Sequence, residues 1–211
     1  MKSLSWHREK RWTSSVRKNG MMTQEVHFDG DRSRLPHRFD VKALQAETLE
    51  LIAAYPPYLH YQVIPLTMMD ASQASHGDYT RADWASWKPT AALKRSPAIQ
   101  QVLDSLQCEK TNVRLMRLEP LGEVRPHKDP QLDLDLGQQV RLHVPIFATE
   151  EVDFILNGKR LPLQPGELWY MRLSDCHQVI NRGLTERIQL SIDVVVNDWV
   201  KEQIAAGDVD V

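Results

Sequence analysis

A chain of 211 residues with 42% hydrophobic and 26% charged side chains has an ordinary globular composition and is long enough to bury a sizeable core. Its net charge of −2 offers no global attraction to nucleic acid or acidic membranes, and no apolar run is long enough to span a bilayer, so neither partner is expected. Two cysteines, Cys108 and Cys176, are too few for a disulfide framework or a cysteine zinc site and suit a reducing cytoplasm.

The first segment, MKSLSWHREKRWTSSVRKNG, carries six Lys/Arg against one Glu, which leaves a formal −7 on the remainder. It lacks the apolar centre of a secretory signal, so residues 1–21 read as a disordered leader and residues 22–211 as one domain. DVKALQAETLELIAAYPP predicts a first helix: Asp40 is placed to cap it, Val41, Leu44, Thr48 and Leu51 share a face, and Pro56 and Pro57 end it. SPAIQQVLDSLQ predicts a second, with Ser96 as cap, Pro97 at the first helical position, and a stripe of Ile99, Val102, Leu103 and Leu106. Between them lies YTRADWASWKPT, whose Tyr79, Trp84 and Trp87 either pack as core edges or line a substrate pocket.

After residue 111 the apolar period changes to two. NVRLMRL, QVRLHVPI, VDFILNG, LWYMRL, HQVIN and RIQLSIDVVV read as strands separated by EPLGE, NGK and QPGE, with Asn157-Gly158 a hairpin turn into KRLPL. Many short strands after two helices predict a mainly β protein, a jelly-roll barrel with N-terminal helices packed on it.

Chemistry concentrates in EVRPHKDPQLDLDLGQQVRLHVPI. In an extended segment residues two apart point the same way, so His127 and Asp129 aim at one point and Lys128 away from it. A histidine nitrogen and a carboxylate oxygen are two thirds of the facial triad that holds Fe(II) and leaves three positions open. His177, 48 residues after Asp129, supplies the third ligand. Ten residues further, Arg187 shares a strand face with Gln189, Ser191 and Asp193. An arginine facing a barrel interior is costly unless it meets an anion, and the far carboxylate of a dicarboxylate suits its planar fork. Arg141 and His143 form a second polar face; they either meet solvent or act behind the metal and against the co-substrate. His143 could replace His127 as a ligand, but RLH offers no carboxylate partner, which favours His127. The cluster of Asp129, Asp133 and Asp135 lacks the glycine and terminal glutamate of an EF-hand loop, and PQLDLDLGQQ reads as an exposed connection.

From about residue 112 to 200 the chain resembles the aspartyl/asparaginyl β-hydroxylase family of Fe(II)/2-oxoglutarate oxygenases, through RPHKD, VRLHVPI, LNGKRLPLQPGELWYMRLSDCHQVINRG and ERIQLSIDVVVNDW. The resemblance implies a double-stranded β-helix, a cupin-like form of jelly roll. It implies iron on His127, Asp129 and His177, the side-chain carboxylate of 2-oxoglutarate on Arg187, and further co-substrate contacts from Arg141 and His143. It also implies O2 as oxidant, with succinate and CO2 as co-products of a dioxygenase that hydroxylates an unactivated carbon, the β-carbon first among them. Animal members that act on Asp or Asn lack the ligating carboxylate, so Asp129 resembles the bacterial branch, whose members hydroxylate free amino acids and peptides. A carboxylate at this position also argues against halogenation, which needs that place free for halide.

A small amino-acid or peptide substrate is therefore expected, met near the barrel mouth by Arg117 or Arg114, by Trp84 and Trp87, or by Arg172. Two rivals remain at this stage: a cupin-like metal enzyme that uses no 2-oxoglutarate, and a non-catalytic binding domain. Arg187 speaks against the first and the complete ligand set against the second.

Overall fold

The computed structural model describes residues 12–18, 21–28, 30–54, 61–69, 87–136 and 138–211. Its first elements correct the expectation of a leader disordered through residue 21. Strand β1 (Trp12–Lys18) pairs antiparallel with β2 (Met21–His27) in a two-stranded sheet of its own. The missed signal is Asn19-Gly20 between them, the dipeptide that most favours a hairpin connection. Residues 1–11 lie outside the described residues.

Next come β3 (Arg32–Arg38) and α1 (Val41–Ala54), with Asp40 capping the helix through a bond from the Ala43 N–H at 3.1 Å. Leu44, Thr48 and Leu51 are its buried face, as their spacing predicts. Strands β4 (Tyr61–Pro65), β5 (Thr67–Met69) and β6 (Trp87–Pro89) lead to α2 (Ala91–Lys94) and α3 (Pro97–Asp104). Ser96 precedes α3 but does not cap it. Its hydroxyl donates to the Ala92 carbonyl of α2, and Glu47 of α1 accepts instead from the Ala98 and Ile99 N–H groups at 2.6 and 3.1 Å. A carboxylate from a neighbouring helix does the capping and pins α1 to α3.

The remaining strands are β7 (Lys110–Leu118), β8 (Glu123–His127), β9 (Gln139–Phe147), β10 (Val152–Leu156), β11 (Lys159–Leu161), β12 (Glu167–Met171), β13 (His177–Asn181) and β14 (Arg187–Val195), followed by α4 (Asp198–Ala206). The β10–β11 turn holds Asn157 and Gly158 at φ 51° and 76°, the left-handed conformations a two-residue hairpin requires. Two antiparallel sheets result: six strands in the order β3-β12-β9-β14-β7-β4, and four in the order β11-β10-β13-β8. This is a mainly β jelly roll, as the strand pattern predicts.

Strand alternation divides the core in two. Val113, Leu115, Leu142, Val144, Ile146, Leu190 and Ile192 pack with Leu44, Leu51, Ile99, Val102, Val200 and Ile204 of the helices. The opposite face of the large sheet meets the small one through Leu118, Trp169 and Met171 against Phe154, Leu156, Leu161 and Val179. The loop after β8 is not simply exposed: Leu132 joins the inter-sheet cluster and Leu134 the helix-side one, while Asp133 accepts from the Ser174 hydroxyl and from the Asp135 N–H. Its leucines anchor the chain as it passes from one sheet to the other.

Candidate metal centre

β8 and β13 are neighbours in the small sheet, and His127 and His177 are register partners across them. Their rings lie 4.2 Å apart, centroid to centroid. Beyond β8 the chain continues to Asp129, whose N–H donates to the Leu173 carbonyl at 2.8 Å and whose carbonyl accepts from the Leu132 N–H at 2.9 Å. These bonds fix the backbone that carries the carboxylate. One ligand atom from each of His127, Asp129 and His177 then falls within 4.8 Å of the other two. Among the described residues no other group of His, Cys, Asp and Glu converges in this way.

Local backbone sets the histidine tautomers. His127 Nδ1 lies 2.8 Å from the Arg125 carbonyl, and His177 Nδ1 lies 3.0 Å from the Asp175 carbonyl. A carbonyl can only accept, so each Nδ1 carries the proton and each Nε2 keeps its lone pair. Burial pushes the His177 pKa below its ordinary value, against the pull of the Asp175 bond and with help from His127, so the ring is neutral at pH 7. Phe154 stacks parallel to His177, with centroids 6.1 Å apart, and fixes the ring plane. Two imidazole nitrogens and one carboxylate oxygen suit a divalent first-row metal and leave out the soft thiolate sites. His127 is exposed and His177 buried, so the centre sits at the mouth of the barrel.

Behind it the interior face of β9 and β14 is polar yet closed to solvent. Arg187, Gln189, Ser191, Asp193 and His143 are all buried, with Arg187 donating to the Gln189 side-chain oxygen. His143 and Ser191 are register partners, and neither His143 nitrogen nor the Ser191 hydroxyl has a hydrogen-bond partner within the described residues. Buried polar atoms without a partner are costly and rare in folded proteins. Burial drives the His143 pKa well below its usual value; Gln189 opposes this, while Arg141, Arg187 and His177 reinforce it.

The residues expected from sequence divide into those brought together and those kept apart. His127, Asp129 and His177 converge, and Arg187, Arg141 and His143 line the adjoining interior. Arg141, however, grips carboxylates of the chain itself: Asp129 at 3.0 Å, and Asp193 at 2.5 and 3.1 Å. Arg117 does not reach the site. It shares the helix-packed face of β7 with Val113 and Leu115, and Glu186 holds it at 2.7 and 2.8 Å. Arg114, three residues earlier, faces the interior and contacts Asp193 at 3.3 Å. Arg172 reaches the Phe28 carbonyl and, at 3.8 Å, Asp135. Trp87 lies in the small β5–β6 pair, half-buried, and its indole N–H has no hydrogen-bond partner among the described residues. Tyr79 and Trp84 lie outside the described residues. Asp193, with no role predicted for it, joins Arg187, Arg141 and His143, and its alternation with Arg187 on β14 is the signal that places it on the same face.

Residues 65–196 match the family model of aspartyl/asparaginyl beta-hydroxylases. The match spans more than half of the sequence, and the chain belongs to this family of hydroxylating oxygenases. No curated protein matches the chain by sequence. Among solved structures, it is similar to HygX from Streptomyces hygroscopicus, determined with nickel and 2-oxoglutarate bound, at a TM-score of 0.52 and 10% identity over 80% of this chain and 84% of that one. A 2OG-Fe(II) oxygenase-family oxidoreductase from Burkholderia pseudomallei gives 0.49 at 14% identity over 72% and 77%. A Pseudomonas putida prolyl-4-hydroxylase gives 0.45 at 18% over 80% and 94%. At such identities the first of these likenesses speaks for the fold alone.

Proposed function

We propose that this chain is an Fe(II)/2-oxoglutarate-dependent dioxygenase that hydroxylates an unactivated carbon, the β-carbon first among the candidates, of an amino acid or of a residue in a peptide. The observation that carries the reading is the convergence of His127, Asp129 and His177 with both Nε2 atoms left open by carbonyl-bound Nδ1 groups. When bound, Fe(II) with 2-oxoglutarate and O2 supplies the oxidising power for hydroxylation, and succinate and CO2 leave as co-products.

Each remaining role falls to a residue of the chain. His127, Asp129 and His177 hold the metal on one face. Arg187, buried at the start of β14, takes the far carboxylate of 2-oxoglutarate, and its partner Gln189 sets the guanidinium plane. His143, kept neutral by burial, offers a nitrogen as donor or acceptor to the co-substrate without adding charge. Trp87, whose N–H has no partner among the described residues, and Trp84 are the proposed substrate contacts, reached by a small amino acid or a peptide. Both cysteines are free, and the cytoplasm is the proposed setting.

The test is calorimetric titration of 2-oxoglutarate into the Mn(II)-loaded chain, followed by a succinate-release screen against free amino acids and short peptides. Saturable binding that disappears without metal supports the reading. Failure of the metal-loaded chain to bind 2-oxoglutarate removes it.

A further inference from the structure

Four buried or half-buried side chains alternate in charge from the metal centre across the interior: Asp129, Arg141, Asp193 and Arg114. Arg141 Nη1 donates to Asp129 Oδ2 at 3.0 Å. Its Nε and Nη2 donate to Asp193 Oδ1 and Oδ2 at 2.5 and 3.1 Å, a two-pronged grip that fixes the guanidinium plane. From the other side Arg114 Nη1 meets Asp193 Oδ2 at 3.3 Å. The Asp193 backbone is pinned as well: its carbonyl accepts from the Thr111 hydroxyl at 3.2 Å. Its place on β14 is irregular, because the register with β7 shifts between Ile192 and Val194, and such bulges re-aim the side chain they carry.

We propose that Asp193 is a positioning residue for the metal centre: it anchors Arg141, which occupies one oxygen of Asp129 and leaves the other to the metal. The inference rests on reading His127, Asp129 and His177 as the ligands. A carboxylate turns easily about its last bond and can present either oxygen or both. Arg141 removes that freedom at Oδ2, and Asp193 holds Arg141 through Nε and Nη2, the edge of the guanidinium that Asp129 does not take. The arrangement also balances charge, since Asp193 stands between two buried guanidinium groups that would otherwise repel both each other and an incoming cation. It differs from what the resemblance implies for Arg141, which is contact with 2-oxoglutarate.

The experiment titrates Mn(II), and then 2-oxoglutarate at saturating Mn(II), into the full-length chain and its Asp193→Asn and Arg141→Lys variants by calorimetry. Asp193→Asn is expected to weaken Mn(II) binding by about 10- to 100-fold, the usual cost of losing a group that orients a ligand. Affinity for 2-oxoglutarate at saturating metal should stay at the wild-type value. Arg141→Lys, whose single ammonium cannot span both carboxylates, should lose Mn(II) affinity similarly and carries the test alone if Asp193→Asn does not fold. In the double variant the loss should not exceed that of Arg141→Lys, because Asp193 acts through Arg141. Wild-type Mn(II) affinity in the single variants overturns the proposal and leaves the metal site standing. So does a loss confined to 2-oxoglutarate, which assigns Arg141 to the co-substrate. A wild-type chain that binds no Mn(II) overturns the ligand assignment together with the proposal.

Discussion

Leu190, Ile192 and Val194 point from β14 toward the helices, whereas Arg187, Gln189, Ser191 and Asp193 alternate with them, and every one of these residues is at most 5% exposed. One face is held by apolar burial, which is non-directional and strong per residue. The other confines two charges and two polar groups in the same strand, where each must be matched by a partner or cost stability. On the proposed function the two faces divide the labour: the helix side folds the barrel, and the interior face carries the residues proposed to meet the co-substrate. Substitutions on one should leave the other measurably intact.

The sharpest break in that division is at the metal itself. His177→Ala is expected to abolish divalent-metal binding, and 2-oxoglutarate binding with it, while the metal-free chain unfolds near the wild-type temperature. Stoichiometric metal retained by this variant would move the ligand role to His143. On the helix face, Leu190→Ala deletes a fully buried side chain packed between Leu115 and Val144 and should cost about 2–5 kcal/mol in unfolding free energy. Metal affinity of the folded fraction should not move. If it falls along with stability, the two faces are coupled and the division fails.

Arg187→Ala probes the interior face away from the metal. Truncating one partner of a buried charge pair costs about 2–5 kcal/mol of binding, here in 2-oxoglutarate affinity at saturating Mn(II). Mn(II) affinity itself should be unchanged. Loss of metal in place of co-substrate would make Arg187 a structural support of the barrel.

How far the sequence alone reaches follows from the same contrast. The alternation in QVRLHVPI and RIQLSIDVVV is strong enough to show both strands and both of their faces, because polar and apolar residues strictly interleave there. The HxD spacing and the later histidine bring out the three residues that converge, because two residues apart on an extended chain means one side of it. β3, RSRLPHR, and β8, EVRPH, carry too few apolar residues for any period to show, and they exist as strands because β12 and β13 offer them ladders. Arg114 and Arg117 show the limit most clearly. Their odd spacing puts them on opposite faces of β7, but which face is interior depends on its register with β14, and that is a tertiary fact. The capping of α3 by Glu47, 51 residues away from the Ala98 N–H it binds, is hidden for the same reason.

The gentlest probe of the comparison is pH. Burial depresses the folded pKa of His143; the cations Arg141 and Arg187 and the neighbouring His177 add to this, and the Gln189 amide opposes it. A histidine whose pKa is about 6.5 in the unfolded chain then takes up a proton on unfolding that the native state refuses. Stability from this residue is complete above that pH and falls as the pH drops toward the folded pKa, by at most about 1.4 kcal/mol per pH unit. Denaturant unfolding of the chelator-treated chain at pH 7.5, 6.5 and 5.5 measures the slope, and His143→Gln, uncharged throughout, should flatten it by up to one proton's worth. Leu190→Ala should shift the whole curve down without changing its slope. Equal slopes for His143→Gln and wild type would mean that the interior face accommodates a proton at His143, and the contrast between the two faces of β14 would then rest on packing alone.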